Sequence, residues 1–508
     1  MADELLTPAE MAQADKLTID AGPFDGMDLM RRAGAAVATR VLERYPDATS
    51  VDVLCGPGNN GGDGYVVAKL LAEAGATVRV WALGHPKPGT DAAIAAKECP
   101  VEATQLSSFA PVEGAVVIDA LFGAGLSKAI DGEAATAIEK CTEASLPIVA
   151  VDLPSGVSGD SGKILGSAFR ADLTVTFFRK KPGHLLYPGR ELCGRTIVAD
   201  IGIRSDVLDT IKPTCWENTP DLWLGTFPHL PANTHKYARG HVGVFSGGLA
   251  STGAARLSAR AAARAGAGAV TLLSPGSALQ VNAVHLTSII LRKSDGIQDV
   301  EEWLEKRKPA ALVFGPAAGL QDSVGDFALA LIEAATNKVR HLVLDADALT
   351  HISRRRGEFL ALFRQAGAPH IVLTPHEGEF ARVFQELAHD EGLSKLDRAR
   401  GAAELAGTTV ILKGPDTVIA SPDGQTAINT NAPPWLATAG SGDVLAGITA
   451  GFLSQGMTAF EAACAAVWLH GAAGSLFGPG LIAEDLPDLL PQVLRDLLAT
   501  HPGKEASR

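Results

Sequence analysis

Short apolar runs alternate with stretches of helical periodicity along almost the whole chain, and most of them end in a glycine or an aspartate. In the first half the runs are VDVLCG (51–56), TVRVWALG (77–84), AVVIDALFG (115–123) and PIVAVDLPSG (147–156). The second half continues with HVGVFSGG (241–248), VTLLSP (270–275), ALVFGP (311–316), HLVLDADAL (341–349), HIVLTPHEGEF (370–380) and TVILKGPDTVIA (409–420). Apolar runs of this length suit strands buried on both faces, and strands separated by helices build a parallel sheet covered on both sides. The expected fold class is therefore α/β. Residues 205–235 interrupt the rhythm with proline and polar residues. The chain of 508 residues accordingly divides into two domains, placed at 1–212 and 213–508.

In open parallel sheets, ligands collect beyond the carboxyl ends of the strands. Asp119 and Asp152 each close an apolar run and are candidates on that ground. The equal alternative is that each only caps the turn that follows.

Acidic residues outnumber basic ones by 57 to 44, a formal charge of −13. That balance argues against a general affinity for nucleic acid or anionic membranes, while leaving room for a local phosphate pocket. The six cysteines are scattered, with no CxxC pair and no His/Cys cluster at metal spacing. A disulfide framework is not expected, and a reducing compartment is. The opening MADELLTPAEMAQADKL lacks the apolar core of a signal peptide, and no apolar run reaches the roughly 18 residues of a membrane span. A soluble, cytoplasmic protein is expected.

Two glycine-rich turns stand out. Gly56-Pro57-Gly58-Asn59-Asn60-Gly61-Gly62-Asp63-Gly64 lies between a strand and a helix expected over about Tyr65–Ala74. Its glycines permit close backbone approach, and helix N-terminal amides favour an anion. It fits neither the dinucleotide fingerprint nor the Walker loop. Thr438-Ala439-Gly440-Ser441-Gly442-Asp443 opens a second helix with a carboxylate at its mouth. Such a turn cradles a phosphate and places a base beside an incoming hydroxyl, although an ordinary N-cap reads the same way.

With LMRRAGAAVA (29–38), GPGNNGGDGYVVAKLL (56–71), DALFGAGLSKAI (119–130), VDLPSGVSGDSG (151–162) and KPGHLLYPGR (181–190), residues 1–210 resemble the NAD(P)H-hydrate epimerase domain, a Rossmann-like three-layer α/β/α fold. The resemblance implies binding of a hydrated nicotinamide nucleotide by Asn59, Asn60, Gly61, Gly62, Asp63, Gly123, Ala124, Gly125, Leu126, Ser127, Lys128, Ala129 and Asp152. It also implies a potassium ion on Asn60, Asp119 and Ser155, whose oxygens suit that ion. Inverting the ring carbon that bears the hydroxyl needs proton transfer during C–O cleavage or ring opening. Asp152 is assigned that transfer, and Asp119 the ion.

The second half carries SGGLASTGAA (246–255), GPAAG (315–319), LDADAL (344–349), LTPHEGEFARV (373–383), LKGPDT (412–417) and NTNAPPWLATAGSGD (429–443). In that order they resemble the ADP-dependent NAD(P)H-hydrate dehydratase domain, a ribokinase-like α/β/α fold, over about 220–495. The resemblance implies that Lys413, Gly414, Pro415, Asp416, Thr417 and Gly442 hold ADP or AMP, and that Ala254, Gly319, His376 and Asp443 hold the hydrated cofactor. Taken alone, His376 is equally a core histidine; Lys413 has a surface lysine as its alternative, but its place at the end of an apolar strand favours the site. The family has GPGLG where this chain has Gly315-Pro316-Ala317-Ala318-Gly319. Asp443 is the implied base. It deprotonates the C6 hydroxyl, which takes a phosphoryl group from ADP and then leaves as phosphate, with Mg²⁺ accompanying the nucleotide.

The substrates implied are NADHX, NADPHX and ADP, handled by a bifunctional repair enzyme, and a homo-oligomer is expected. Two other readings compete. A ribokinase-like kinase of a hydroxymethylpyrimidine-type substrate shares the second scaffold. Domains like the first also serve as binding scaffolds in messenger-RNA decapping, but without the intact NNGGD, Asp119 and Asp152 found here.

Overall fold

The computed structural model describes residues 3–48, 50–229 and 233–501. The chain forms two compact units, Glu4–Cys215 and, from Trp216 onward together with Asp3, a second. Each is built on its own sheet.

The first sheet has seven strands: β1 (Ser50–Cys55), β2 (Thr77–Ala82), β3 (Ala103–Gln105), β4 (Val116–Ala120), β5 (Ile148–Val151), β6 (Leu173–Phe177) and β7 (Arg195–Ala199). They run in the order β3-β2-β1-β4-β5-β6-β7, and every pair is parallel. The apolar runs are continuous because both faces are covered. Val51, Val53, Val116, Ile118, Val149 and Val151 point into one core, while Leu54, Val117, Ile148 and Ala150 point into another. This period-two division is what a doubly covered sheet requires.

The glycine-rich motif departs from the expected layout. The helix begins at Asn59, not near Tyr65, and runs to Glu73, so the motif from Asn59 onward opens the helix. Packing overrides the poor helix propensity of glycine here. A Cβ on Gly61 would lie 1.8 Å from the Gly56 carbonyl oxygen, and one on Gly64 would lie 2.6 Å from the Ala120 Cβ.

The second sheet contains β8 (Cys215–Glu217), β9 (His241–Phe245), β10 (Ala269–Ser274), β11 (Ile290–Lys293), β12 (Ala311–Phe314), β13 (His341–Leu344), β14 (His370–Leu373), β15 (Thr409–Leu412), β16 (Val418–Ala420) and β17 (Thr426–Ile428). Its order is β11-β10-β9-β12-β13-β14-β15-β16-β17-β8. Pairing is parallel from β11 to β15 and antiparallel from β15 to β17. The run 409–420 is therefore a hairpin folded at Gly414–Pro415 and not one more crossover strand, because those residues break the strand. Helices Gly253–Arg264 and Ser441–Ser454 lie against each other over one face. Their backbones touch at Gly447, where a Cβ would come within 2.1 Å of the Ser258 carbonyl oxygen.

Candidate active sites

In the first unit the chain leaves β1 toward β2 and β3 on one side, and β4 starts the other side. Such a switch point opens a crevice beyond the strand ends. A cavity of about 670 Å³ lies there, walled by Pro57–Asn60 after β1, by Leu121–Lys128 after β4 and by Asp152 after β5. Of the expected nucleotide contacts, Asn59, Asn60, Asp63, Gly123, Ala124, Gly125, Leu126, Ser127, Lys128 and Asp152 line it. Gly61, Gly62 and Ala129 are not in its wall. Gly61 packs over the Gly56 backbone, and a Cβ on Gly62 would strike the Met30 side chain at 2.6 Å.

Asp152 has left-handed backbone (φ +65°) and is clamped on every side. Its Oδ1 accepts hydrogen bonds from Lys181 Nζ at 2.6 Å and Thr176 Oγ1 at 2.9 Å, and its Oδ2 accepts one from the Ala124 amide at 2.9 Å. His184 Nε2 lies 2.8 Å from its carbonyl oxygen. Burial works against the charge, but Lys181 and His184 outweigh it and hold the carboxyl at about 2. A Cβ on Gly123 would meet Asn60 Oδ1 at 2.8 Å and Asp152 Oδ2 at 3.1 Å, so glycine is needed where these side chains converge.

Asp119, near the end of β4, and Ser155, after β5, are not in the cavity wall. Ser155 donates to Asp119 from its hydroxyl at 2.5 Å and from its amide at 2.6 Å. Asp119 is fully buried among neutral donors, and burial pushes its carboxyl up to about 6.

The second unit gathers its polar groups at the carboxyl ends of β12–β15 and at the start of helix Ser441–Ser454. Lys413, just past β15, donates to Asp345 at 3.0 Å and stands 3.9 Å from Glu379. Asp345, just past β13, also accepts from Thr374 Oγ1 at 2.6 Å. A Cβ on Gly442 would lie 3.3 Å from Lys413 Nζ, which puts the lysine over the first turn of the helix. There Asp443 is pushed up to about 7 by burial and by Asp345, against the pull of Lys413. Its carbonyl accepts from Ser258 Oγ at 2.8 Å, tying it to the helix that carries Ala254. Ser441 Oγ lies 3.0 Å from Nε2 of the buried His470.

The other expected contacts divide by role. The amide of Gly319 donates to Asp347 at 2.8 Å, and its carbonyl lies 2.9 Å from His351 Nε2. His376 is exposed and caps its own helix, Glu377–Val383, with Nδ1 accepting from the Gly378 amide at 3.0 Å. It is therefore not a core histidine. Gly414 and Thr417 close the turn after β15 on each other, while Asp416 is buried and accepts from Lys395 at 2.6 Å. The Asp416 carboxylate thus faces inward to a lysine, and Pro415 is exposed at the tip of the turn.

Sequence reasoning gave no role to Lys181, His184 or Asp345, although all three lie in motifs already singled out (KPGH and LDADAL). Asp15, which also lines the first cavity, carried no signal at all.

Comparison with known proteins agrees across the chain. A family model described as NAD(P)H-hydrate dehydratase matches residues 242–494, and one described as YjeF-related protein N-terminus matches 26–183. The bifunctional NAD(P)H-hydrate repair enzyme Nnr of Thermofilum pendens is 34% identical over 494 residues, covering 92% of either chain. That of Moorella thermoacetica is 34% identical over 526 residues, covering 97% of each. Among solved structures, the ADP/ATP-dependent NAD(P)H-hydrate dehydratase of Bacillus subtilis is 27% identical with a TM-score of 0.49, covering 55% of this chain and 98% of its own.

Proposed function

Because the chain belongs to the family of bifunctional NAD(P)H-hydrate repair enzymes, we propose that its two units share the work, residues 1–212 epimerising the hydrates and 213–508 dehydrating the (6S) form with ADP. Water adds to the nicotinamide ring without facial control, so a dehydratase specific for one epimer strands the other unless an epimerase feeds it.

The observation that carries this reading is the convergence of Asp443, Lys413 and Gly442 at one helix N-terminus. A carboxyl held near 7 exchanges protons at neutral pH, as a general base must. Asp443 takes the proton of the C6 hydroxyl, and that oxygen attacks the terminal phosphorus of ADP, releasing AMP. The ring nitrogen then expels phosphate and NAD(P)H is restored. Lys413 and the free amides at Gly442 balance the charge on the transferring group. Mg²⁺, when bound with the nucleotide, neutralises its phosphates. Ala254, Gly319 and His376 face the hydrated cofactor, and the turn from Lys413 to Thr417 faces the nucleotide, mainly through its backbone because Asp416 is turned toward Lys395.

In the first unit Asp152 handles the proton of the hydroxyl at the inverting carbon. Asn60, Asp119 and Ser155 would hold potassium: Asp119 is a fully buried carboxylate with only neutral hydrogen-bond partners, and such an ion would supply its countercharge. Among the described residues no helix is long and apolar enough to cross a membrane. A cytoplasmic homo-oligomer acting on NADHX and NADPHX completes the proposal.

The test uses racemic NADHX with purified protein. With ADP, absorbance at the NADH band returns for nearly all of the substrate and free phosphate appears. A kinase would instead accumulate a stable phosphorylated compound and restore no NADH.

A further inference from the structure

We infer that Asp15 is a second catalytic side chain of the first unit, protonating the departing hydroxyl while Asp152 receives the proton of the incoming water. The inference rests on the reading of this unit as the epimerase and deepens it.

Inversion requires proton handling on both faces of one carbon. Asp152 serves one face only, because Lys181, Thr176 and the Ala124 amide fix both of its carboxylate oxygens. The second group must be another side chain that lines the cavity. Asp15 lines the same cavity from helix Pro8–Ala21, whose start is fixed by a capping box between Thr7 and Glu10. Its helix neighbours Met11, Ala14 and Thr18 are buried, yet the Asp15 carboxylate makes no hydrogen bond or ion pair among the described residues. A partly buried carboxylate without a partner is costly, and a cavity wall is where such a group is kept for chemistry. The other charged side chains lining the cavity are Asp63, Asp91, Lys128 and Lys181. Burial pushes the Asp15 carboxyl up to about 6, with Lys181 opposing and Asp152 adding to the rise. Asp152 is held at about 2, and two carboxyls driven apart in one cavity form an acid and base pair.

The step balances. Asp15 gives its proton to the C6 hydroxyl, the C6–O bond breaks, and the ring-nitrogen lone pair forms a C6=N iminium with release of water. A water on the other face adds to C6 and passes one proton to Asp152. Exchange with solvent then reloads Asp15 and empties Asp152, so no net proton is consumed. The opposite epimer follows the same steps with the two carboxyls exchanging roles.

The experiment follows conversion of purified (6R)-NADHX to the (6S) form in H₂¹⁸O without ADP, corrected for the uncatalysed rate. Dehydration of (6S)-NADHX with ADP is measured on the same samples as a control for folding. D15N is expected to lose on the order of 100-fold or more in epimerisation kcat with KM little changed, D15E to regain part of it, and dehydration to stay at the wild-type rate. Each inversion by the wild type is expected to bring one solvent oxygen into the product. D15N epimerising within threefold of wild type, or inversion without ¹⁸O, overturns the inference. A wild-type chain that does not epimerise at all overturns the reading beneath it.

Discussion

Ala317 holds a left-handed backbone (φ +52°) that an L side chain adopts at a cost of roughly 1–2 kcal/mol. It lies in the turn after β12. Its carbonyl packs against Gly247, where a Cβ would come within 2.1 Å of it. Ala317→Gly is therefore expected to stabilise the second unit by about 1 kcal/mol, less what glycine gives back through unfolded-state entropy. Calorimetry of the full chain checks this, and a lower melting temperature contradicts the strain. The same scale governs Asp443. Its carboxyl lies near 7 and must be ionised to act as base, so the dehydration kcat is expected to rise with pH through about 7 and level off above. Asp443→Asn is expected to lower kcat by about 10²–10⁴-fold and to abolish that limb, leaving epimerisation intact. A variant that keeps the limb would assign it to another group.

At the scale of elements, the second site depends on how closely helix Ser441–Ser454 approaches helix Gly253–Arg264. Gly447 faces the Ser258 carbonyl, and the Ser258 hydroxyl holds the Asp443 carbonyl. Gly447→Ala would force the two apart, an overpacking cost of about 1–3 kcal/mol, and would displace Asp443 with its anchor. Both a lower melting temperature and a slower dehydration are expected. Full activity in a destabilised variant would show that the contact supports the fold alone. This contact also marks the limit of what the sequence reveals. The strands β1, β2, β4, β5, β9, β10 and β12–β15 were legible because both-face burial makes them continuous apolar runs, while β3, β6, β7, β8, β11 and β17 did not stand out, and Asp152 and Asp443 were candidates because each follows a strand or opens a helix. The start of the helix at Asn59 was not legible, since glycine's local preference argues against helix, and the need for glycine at Gly61 comes from its close approach to the Gly56 backbone. Lys181 was equally hidden. Its ion pair with Asp152 spans 29 positions and is made by the fold. The hairpin after β15 was read as one strand because its two arms are apolar alike, although Gly414 and Pro415 between them were visible signals.

For the whole molecule, each unit has its own sheet, its own core and all the side chains assigned to its own site. The two activities should therefore separate by single substitutions. Asp152→Asn is expected to restore about half of racemic NADHX quickly with ADP, the remainder following only at the uncatalysed rate of epimerisation. Asp443→Asn is expected to interconvert the epimers and to restore NADH only at about a hundredth of the wild-type rate or less. Because the hydrate that links the two reactions is a stable, diffusible molecule, mixing the two variants should return nearly all of the substrate to NADH. Varying their concentration then distinguishes free diffusion from handover within one chain. With exchange through solution, the rate of the mixture follows the amount of each intact site and approaches that of wild type at equal site concentration. If the mixture completes the reaction at a small fraction of the wild-type rate while each single activity is normal, the hydrate passes between sites without leaving the protein, and the independence argued from separate cores does not extend to the traffic of substrate.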